Sequence, residues 1–254
     1  MNPYGCFFSW TNLIDRPGVA IRADSEDGGC TAQYLATPSM EELWRAAGPT
    51  GAITVTLDAD LAVDLVALAC WRRGLVLPAD GLVRLQLDGT APIDTGWQPS
   101  GVDADAGVWV CRLPAPTTMR TLRLGLDAGA APYVQVSRLW LGLAAEPDWG
   151  FAPGAGFTWV DTGSSTRTPS GRIDDEAGVR YRRLRVSFDA ASDRDAAMFQ
   201  AGTLRAGKTR QFLFCREGSD ASRQTILCHA ADVPETVSSD VDANALSFDL
   251  SEDT

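Results

Sequence analysis

The chain has 254 residues, 45% hydrophobic and 22% charged, enough to bury a sizeable core without disulfide or metal staples, which excludes disorder of the whole chain. Its net charge of −11 repels phosphate and argues against nucleic acid as a partner. No run of about 18 apolar residues exists to insert in a membrane, and Met1 to Trp10 lacks the basic and apolar parts of a signal peptide, so the expectation is a protein made and folded in the cytoplasm.

Read in chain order, Met40 to Ala47 suggests a short helix, and period-two alternation dominates from there. Ile53, Val55 and Leu57 alternate with Thr54, Thr56 and Asp58, while Val83, Leu85 and Leu87 alternate with Arg84, Gln86 and Asp88. An apolar run spans Val108 to Leu113, Leu122, Leu124 and Leu126 alternate again, and Val134, Val136 and Leu139-Trp140-Leu141 follow. Turn residues at Ala79-Asp80-Gly81, Asp88-Gly89, Pro99-Ser100-Gly101 and Asp127 to Pro132 separate these runs. Short strands at this spacing predict a β-sandwich or barrel. The Gly/Pro-rich stretch Glu146 to Gly156 breaks the pattern and sets the expected boundary between a first domain, 1–146, and a second, 147–254.

The second block holds strand candidates at Phe157 to Asp161, Val179 to Phe188, Phe212 to Cys215, Thr225 to His229 and Leu246 to Leu250. Its one strong helix starts after Ser192, a capping residue, with Asp193 and Asp195 at the positive end of the dipole and Gly202 or Gly207 as its stop. The expected fold class is therefore mostly β: a sandwich followed by a smaller β-rich domain with one short helix.

Chemistry is sparse. His229 is the single histidine, and its strand neighbour Cys228 points to the opposite face, so the two cannot act as a couple. The six cysteines have no zinc or redox spacing. Cys70 and Cys111 look like small buried hydrophobes, while Cys215 and Cys228 either face each other across a hairpin or stay free thiols. The run Asp24 to Gly29 lacks the calcium-loop spacing and reads as a solvated turn, and Asp174, Asp175 and Glu176 read as an exposed loop. No catalytic residue, metal site or cofactor is expected, and the protein is read as a non-enzyme. Among eight tryptophans, Trp109 and Trp140 fall in strand runs and belong to the core. Trp71, beside Arg72 and Arg73, and Trp97, in a Gly/Pro-flanked loop, are the candidates for a ligand or interface contact.

The order of motifs resembles a known family. Asn12-Leu13-Ile14-Asp15, Trp44-Arg45, Ile53 to Asp58 and Val63 to Ala69 resemble the opening of galactose-binding-like (discoidin-type) jelly rolls in tailed-bacteriophage tail proteins. The family's usual Gly-His-Asn is replaced here by Cys70-Trp71-Arg72-Arg73. The Ser/Thr/Gly stretch Thr162 to Arg172, the arginine-rich strand Arg180 to Phe188, the helix and the strand Gln211 to Phe214 resemble the β domain of distal-tail or baseplate proteins. The resemblance implies a structural component of a tail tip or baseplate, assembled in the host cytoplasm and located in the virion. Its implied partners are further copies of itself in a ring and other tail proteins (tube, hub, fibres), with host-surface glycan as an additional ligand. Arg180, Arg182, Arg183 and Arg185 opposite Asp174, Asp175 and Glu176 are the expected subunit interface. The alternative reading is a carbohydrate-binding module that recognises cell-surface glycans.

Overall fold

The computed structural model describes residues 5–70, 76–89, 92–103, 106–148, 150–152, 155–231, 236–240 and 243–253, and they are mostly β in sandwich-like sheets, the expected class. Tertiary contacts divide the chain into two units, Tyr4–Glu146 with Phe212–Leu227, and Pro147–Gln211 with Cys228–Thr254. One crossing between the units lies between Glu146 and Pro147.

In the first unit the strands are β1 (Phe7–Ser9), β2 (Ala20–Ala23), β3 (Trp44–Arg45), β4 (Thr50–Ala69), β5 (Leu82–Gly89), β6 (Ile93–Asp94), β7 (Gln98–Pro99), β8 (Val108–Asp127), β9 (Gln135–Val136) and β10 (Arg138–Gly142). An antiparallel sheet runs β10-β4-β8-β5-β6, with β2 also on β4 and β7 also on β5. Its frame is the pair of twenty-residue strands β4 and β8, whose register shifts between Thr56 and Leu61 and again between Val63 and Leu65. Such bulges bend a strand and let its two halves face different surroundings.

The alternating segments put Ile53, Val55, Leu57, Val83, Leu85, Leu87, Leu122, Leu124 and Leu126 on one buried face. Each such side chain stabilises the fold by about 1.5–3 kcal/mol relative to exposure. Leu35, Trp44, Val134, Val136, Leu139 and Leu141 belong to the same core. The second half of β4 is different, because every residue from Val63 to Ala69 is buried and both its faces are covered. Within β4, only the first half therefore has a solvent face.

The motifs that open the chain are structural fasteners. Asn12, buried, donates to the Leu139 carbonyl (2.9 Å) and accepts from the amides of Leu141 (3.0 Å) and Ile14 (3.2 Å), tying the first turn to β10. Asp15 receives the buried Arg138 guanidinium at 2.6 and 2.8 Å. Trp44 and Arg45 form strand β3 on β9, so the helix expected over Met40 to Ala47 is not formed there. Burial decides this: the Trp44 indole donates to the Ser25 carbonyl at 3.0 Å, and its ring fills the space where a Cβ on Gly51 would stand 2.9 Å from Cη2. Tertiary packing of one large ring outweighs the weak helical propensity of the segment.

The later elements are β11 (Phe157–Asp161), β12 (Ser164–Arg167), β13 (Ile173–Glu176), β14 (Arg180–Ala191), α1 (Asp193–Ala206), β15 (Phe212–Cys215), α2 (Ala221–Gln224), β16 (Thr225–Ala230), β17 (Thr236–Asp240) and β18 (Ala243–Glu252). Strand β15 pairs with β1 inside the first unit. In the second unit β14 lies between β11 and β18, and β17 adds to β18. Helix α1 begins as expected: the Ser192 hydroxyl accepts from the Asp195 amide, and Gly207 ends it at φ +56°. Phe199 on that helix packs on Phe188 and Phe248, with ring centroids 4.8 and 5.1 Å away.

All six cysteines are free. Burial pushes the Cys70 thiol up to about 12 and the Cys215 thiol up to about 11, and it raises Cys228 as well. Iodoacetamide at about pH 8 should therefore leave these three unmodified in the native protein, since only the thiolate reacts. Mass spectrometry before and after denaturation checks this, and native labelling of Cys70 would contradict it.

Candidate functional site

The solvent face of the first unit's sheet can be built row by row from the pairing register. One row reads Arg22, Thr54, Arg123, Gln86 and Asp94 across β2, β4, β8, β5 and β6. The adjacent row reads Ala52, Gly125 and Arg84 across β4, β8 and β5. These are the members of the alternating strands that face away from the leucine layer, polar except for Ala52 and Gly125. Of these, Ala52, Arg84, Gln86, Arg123 and Gly125 line an open depression of about 390 Å³, together with Asp24, Trp97 and Asp127 among others.

Trp97 is placed by a short loop that folds back over this face. Strands β6 and β7 both pair with β5, so the residues between them lie against it. Thr95 fastens that loop: its amide donates to the Leu85 carbonyl and its hydroxyl accepts from the Leu85 amide, both at 3.0 Å. Gly96 turns the chain at φ +63°, and the Gln98 side chain donates to the Thr95 carbonyl at 3.1 Å. The six-membered ring of Trp97 comes down on Gly125, where a Cβ would stand 3.0 Å from Cη2. Even so, Trp97 remains 47% exposed, an aromatic surface fixed at its base and open to solvent.

A polar clamp stands beside the ring. Asp94 accepts from Arg84 Nε at 2.9 Å and Nη2 at 2.5 Å, from Gln86 Nε2 at 3.1 Å and from the Gly96 amide at 2.9 Å. The Arg84 guanidinium, and then the Gly96 amide, hold the Asp94 carboxyl well below the usual carboxylate range. A depressed pKa keeps the clamp formed as pH falls through the ordinary carboxylate range, and the clamp is lost only when pH passes below the folded value. The Gly96 amide resonance should accordingly hold its position through about pH 4, where an unperturbed aspartate titrates. Movement of that resonance near pH 4 in a heteronuclear NMR titration would show the clamp to be absent in solution.

The residues singled out from sequence are distributed as follows. Trp97 lies in this depression, while Trp71, Arg72 and Arg73 fall outside the described residues. Asp174, Asp175 and Glu176 are exposed, but they form strand β13 rather than a loop, because Ser164 to Arg167 pair with them as a hairpin. Arg180 bonds Asp161 at 2.7 Å, and Arg183 lies 3.8 Å from Asp249. Arg185 is exposed, opposite Asp249 in the register. Arg182 is buried in an ion pair with Glu252. Arg180, Arg182 and Arg183 thus each have an acid partner outside β13. Arg22, Arg84, Gln86, Arg123 and Asp94 were not singled out. The alternation shows Arg84 and Gln86 to be outward-facing, but only the register brings them beside Trp97.

His229 is half-buried and Cys228 is buried. Among the described residues no cluster of three or more His, Cys, Asp or Glu side chains could hold a metal ion, and no helix is long and apolar enough to cross a membrane.

No family model matches the chain, and no curated protein matches it. Solved structures do. The family 32 carbohydrate-binding module of NanJ from Clostridium perfringens, in complex with galactose, is 10% identical with a TM-score of 0.43, covering 53% of this chain and 98% of that one. A family 32 module of a second C. perfringens protein, in complex with GalNAc-β-1,3-galactose, is 13% identical with a TM-score of 0.43, covering 52% of this chain and 100% of that one. A chitosan-binding module from a Paenibacillus chitosanase/glucanase is 19% identical with a TM-score of 0.40, covering 52% of this chain and 98% of that one. Similarity this low leaves the function to be argued from the residues of the site.

Proposed function

We propose that the solvent face of the first unit's sheet binds a carbohydrate, and that the protein acts by binding and not by catalysis. The observation that carries this is the half-exposed Trp97, seated on Gly125 beside the fixed Arg84–Asp94–Gln86 clamp. A sugar ring presents an apolar face of C–H groups and an edge of hydroxyls. An exposed aromatic ring takes the face, and planar side chains held at fixed angles take the edge. A clamp already formed without ligand costs little ordering entropy on binding. A glycan array probed with the full chain and with Trp97→Ala tests the reading. Binding that Trp97→Ala removes is the expected result, and the absence of any binding by the full chain at about millimolar sugar, the weak end of measurable affinity, would overturn it.

A second reading, a subunit of a phage tail tip or baseplate located in the virion, is favoured by one observation. Strands β12 and β13 form a hairpin exposed along its whole length. A two-stranded hairpin is marginal alone in water and gains stability when a neighbour covers it. Cryo-electron microscopy of the particle tests this, and absence of the chain from the particle would remove the reading.

A further inference from the structure

We infer that the site takes an acidic sugar, one bearing a carboxylate, with Arg22 and Arg123 receiving its charge; the inference rests on the carbohydrate reading above. Arg84, the other arginine of this face, is already committed to Asp94. Arg22 and Arg123 are both exposed, and neither has an ion-pair partner among the described residues. That is notable in a chain with 33 acidic and 22 basic side chains, where a partner is easily found.

Their placement is specific. Arg22 and Arg123 both stand opposite Thr54 in the register, one on each neighbouring strand. Strands lie about 4.8 Å apart, so the two backbones are about 10 Å apart with the Thr54 hydroxyl between them. Two long guanidinium side chains at that separation can converge on one carboxylate, which accepts a planar fork from each. Arg123 is also two residues from Gly125 on the same strand, about 7 Å along the same face, and Gly125 is the seat of Trp97. A ring resting on Trp97 thus directs a substituent toward Arg123.

None of the acids at the rim forms an ion pair with Arg22 or Arg123. Asp24 accepts from the Ala52 amide and Asp127 from the Gly129 amide, both at 2.8 Å, while Asp94 is held by Arg84. Each has a carboxylate oxygen turned to its own backbone or clamp partner. The guanidinium groups of Arg22 and Arg123 are left to an incoming anion.

Isothermal titration of the full chain with matched pairs tests the inference: oligogalacturonate against its methyl ester, and sialyllactose against lactose. The carboxylate member of at least one pair should bind at least tenfold more tightly. That preference should shrink toward 1 M salt, where the screening length falls to about 3 Å. Arg123→Gln and Arg22→Gln should each reduce the acid-to-neutral ratio at least fivefold. Equal affinity within both pairs, with binding lost in Trp97→Ala, would overturn the charge preference and leave the carbohydrate reading standing. Failure of all four sugars to bind would also overturn the charge preference, and the glycan array then decides the carbohydrate reading by itself.

Discussion

Trp97→Ala is expected to lower glycan affinity at least tenfold, about 1.4 kcal/mol or more, while changing folding stability by no more than about 0.5 kcal/mol. The two effects separate because the ring is 47% exposed and sits on the solvent side of the sheet, outside the leucine core. A second variant approaches the same surface from below. Gly125→Leu puts a side chain where even a Cβ would be 3.0 Å from the indole, so the ring must leave its seat. Gly125 is not among the glycines with positive φ, so its backbone accepts a larger residue. Gly125→Leu should therefore reproduce the binding loss of Trp97→Ala with the tryptophan still present. Titration of both variants against the best array ligand, with urea unfolding as the control, measures this. Undiminished affinity in both would mean that the ligand sits elsewhere.

The largest stability effect is expected in the second unit, at Glu252. Arg182 and Glu252 keep only 5% and 7% of their side-chain surface exposed. Glu252 accepts from Arg182 Nε and from the Arg182 backbone amide, both at 2.8 Å, and the guanidinium lies 5.2 Å from the Phe157 ring centre. Glu252→Ala removes one counter-charge from a buried guanidinium and should cost about 3–5 kcal/mol. Replacing both partners, Arg182→Met with Glu252→Leu, should recover most of that loss, because an apolar pair of similar volume has no charge to desolvate. Urea unfolding followed by circular dichroism distinguishes the two. A loss below about 1 kcal/mol for Glu252→Ala would place the pair with ordinary surface salt bridges.

This pair also shows where sequence reading stops. The alternation in Arg180 to Phe188 marks a strand, and β14 is there, with Leu184, Val186 and Phe188 buried. Strand periodicity makes Arg182 a member of the same inward set, yet an arginine is rarely buried, and its 70-residue reach to Glu252 has no local signal. The same limit explains Trp44, whose environment comes from Ser25, Gly51 and Val136 rather than from its own neighbours. The site follows the same rule. Trp97 could be picked out by its loop and Arg84 by its alternation, but Gly125 gave no sign of being a seat for an aromatic ring.

What the amino-acid sequence determined by itself was local: where most of the longer strands run, which face of each is apolar and where α1 is capped. These follow from the period of hydrophobicity and from capping and turn chemistry, all of which act within a few residues. Only the tertiary structure decided that β4 is a single bent strand, that Arg182 is buried, and that Arg22, Arg123, Arg84 and Trp97 share one surface. Register is the physical reason. A strand's own pattern says which side chains point outward, but the pairing of distant strands says which of them meet.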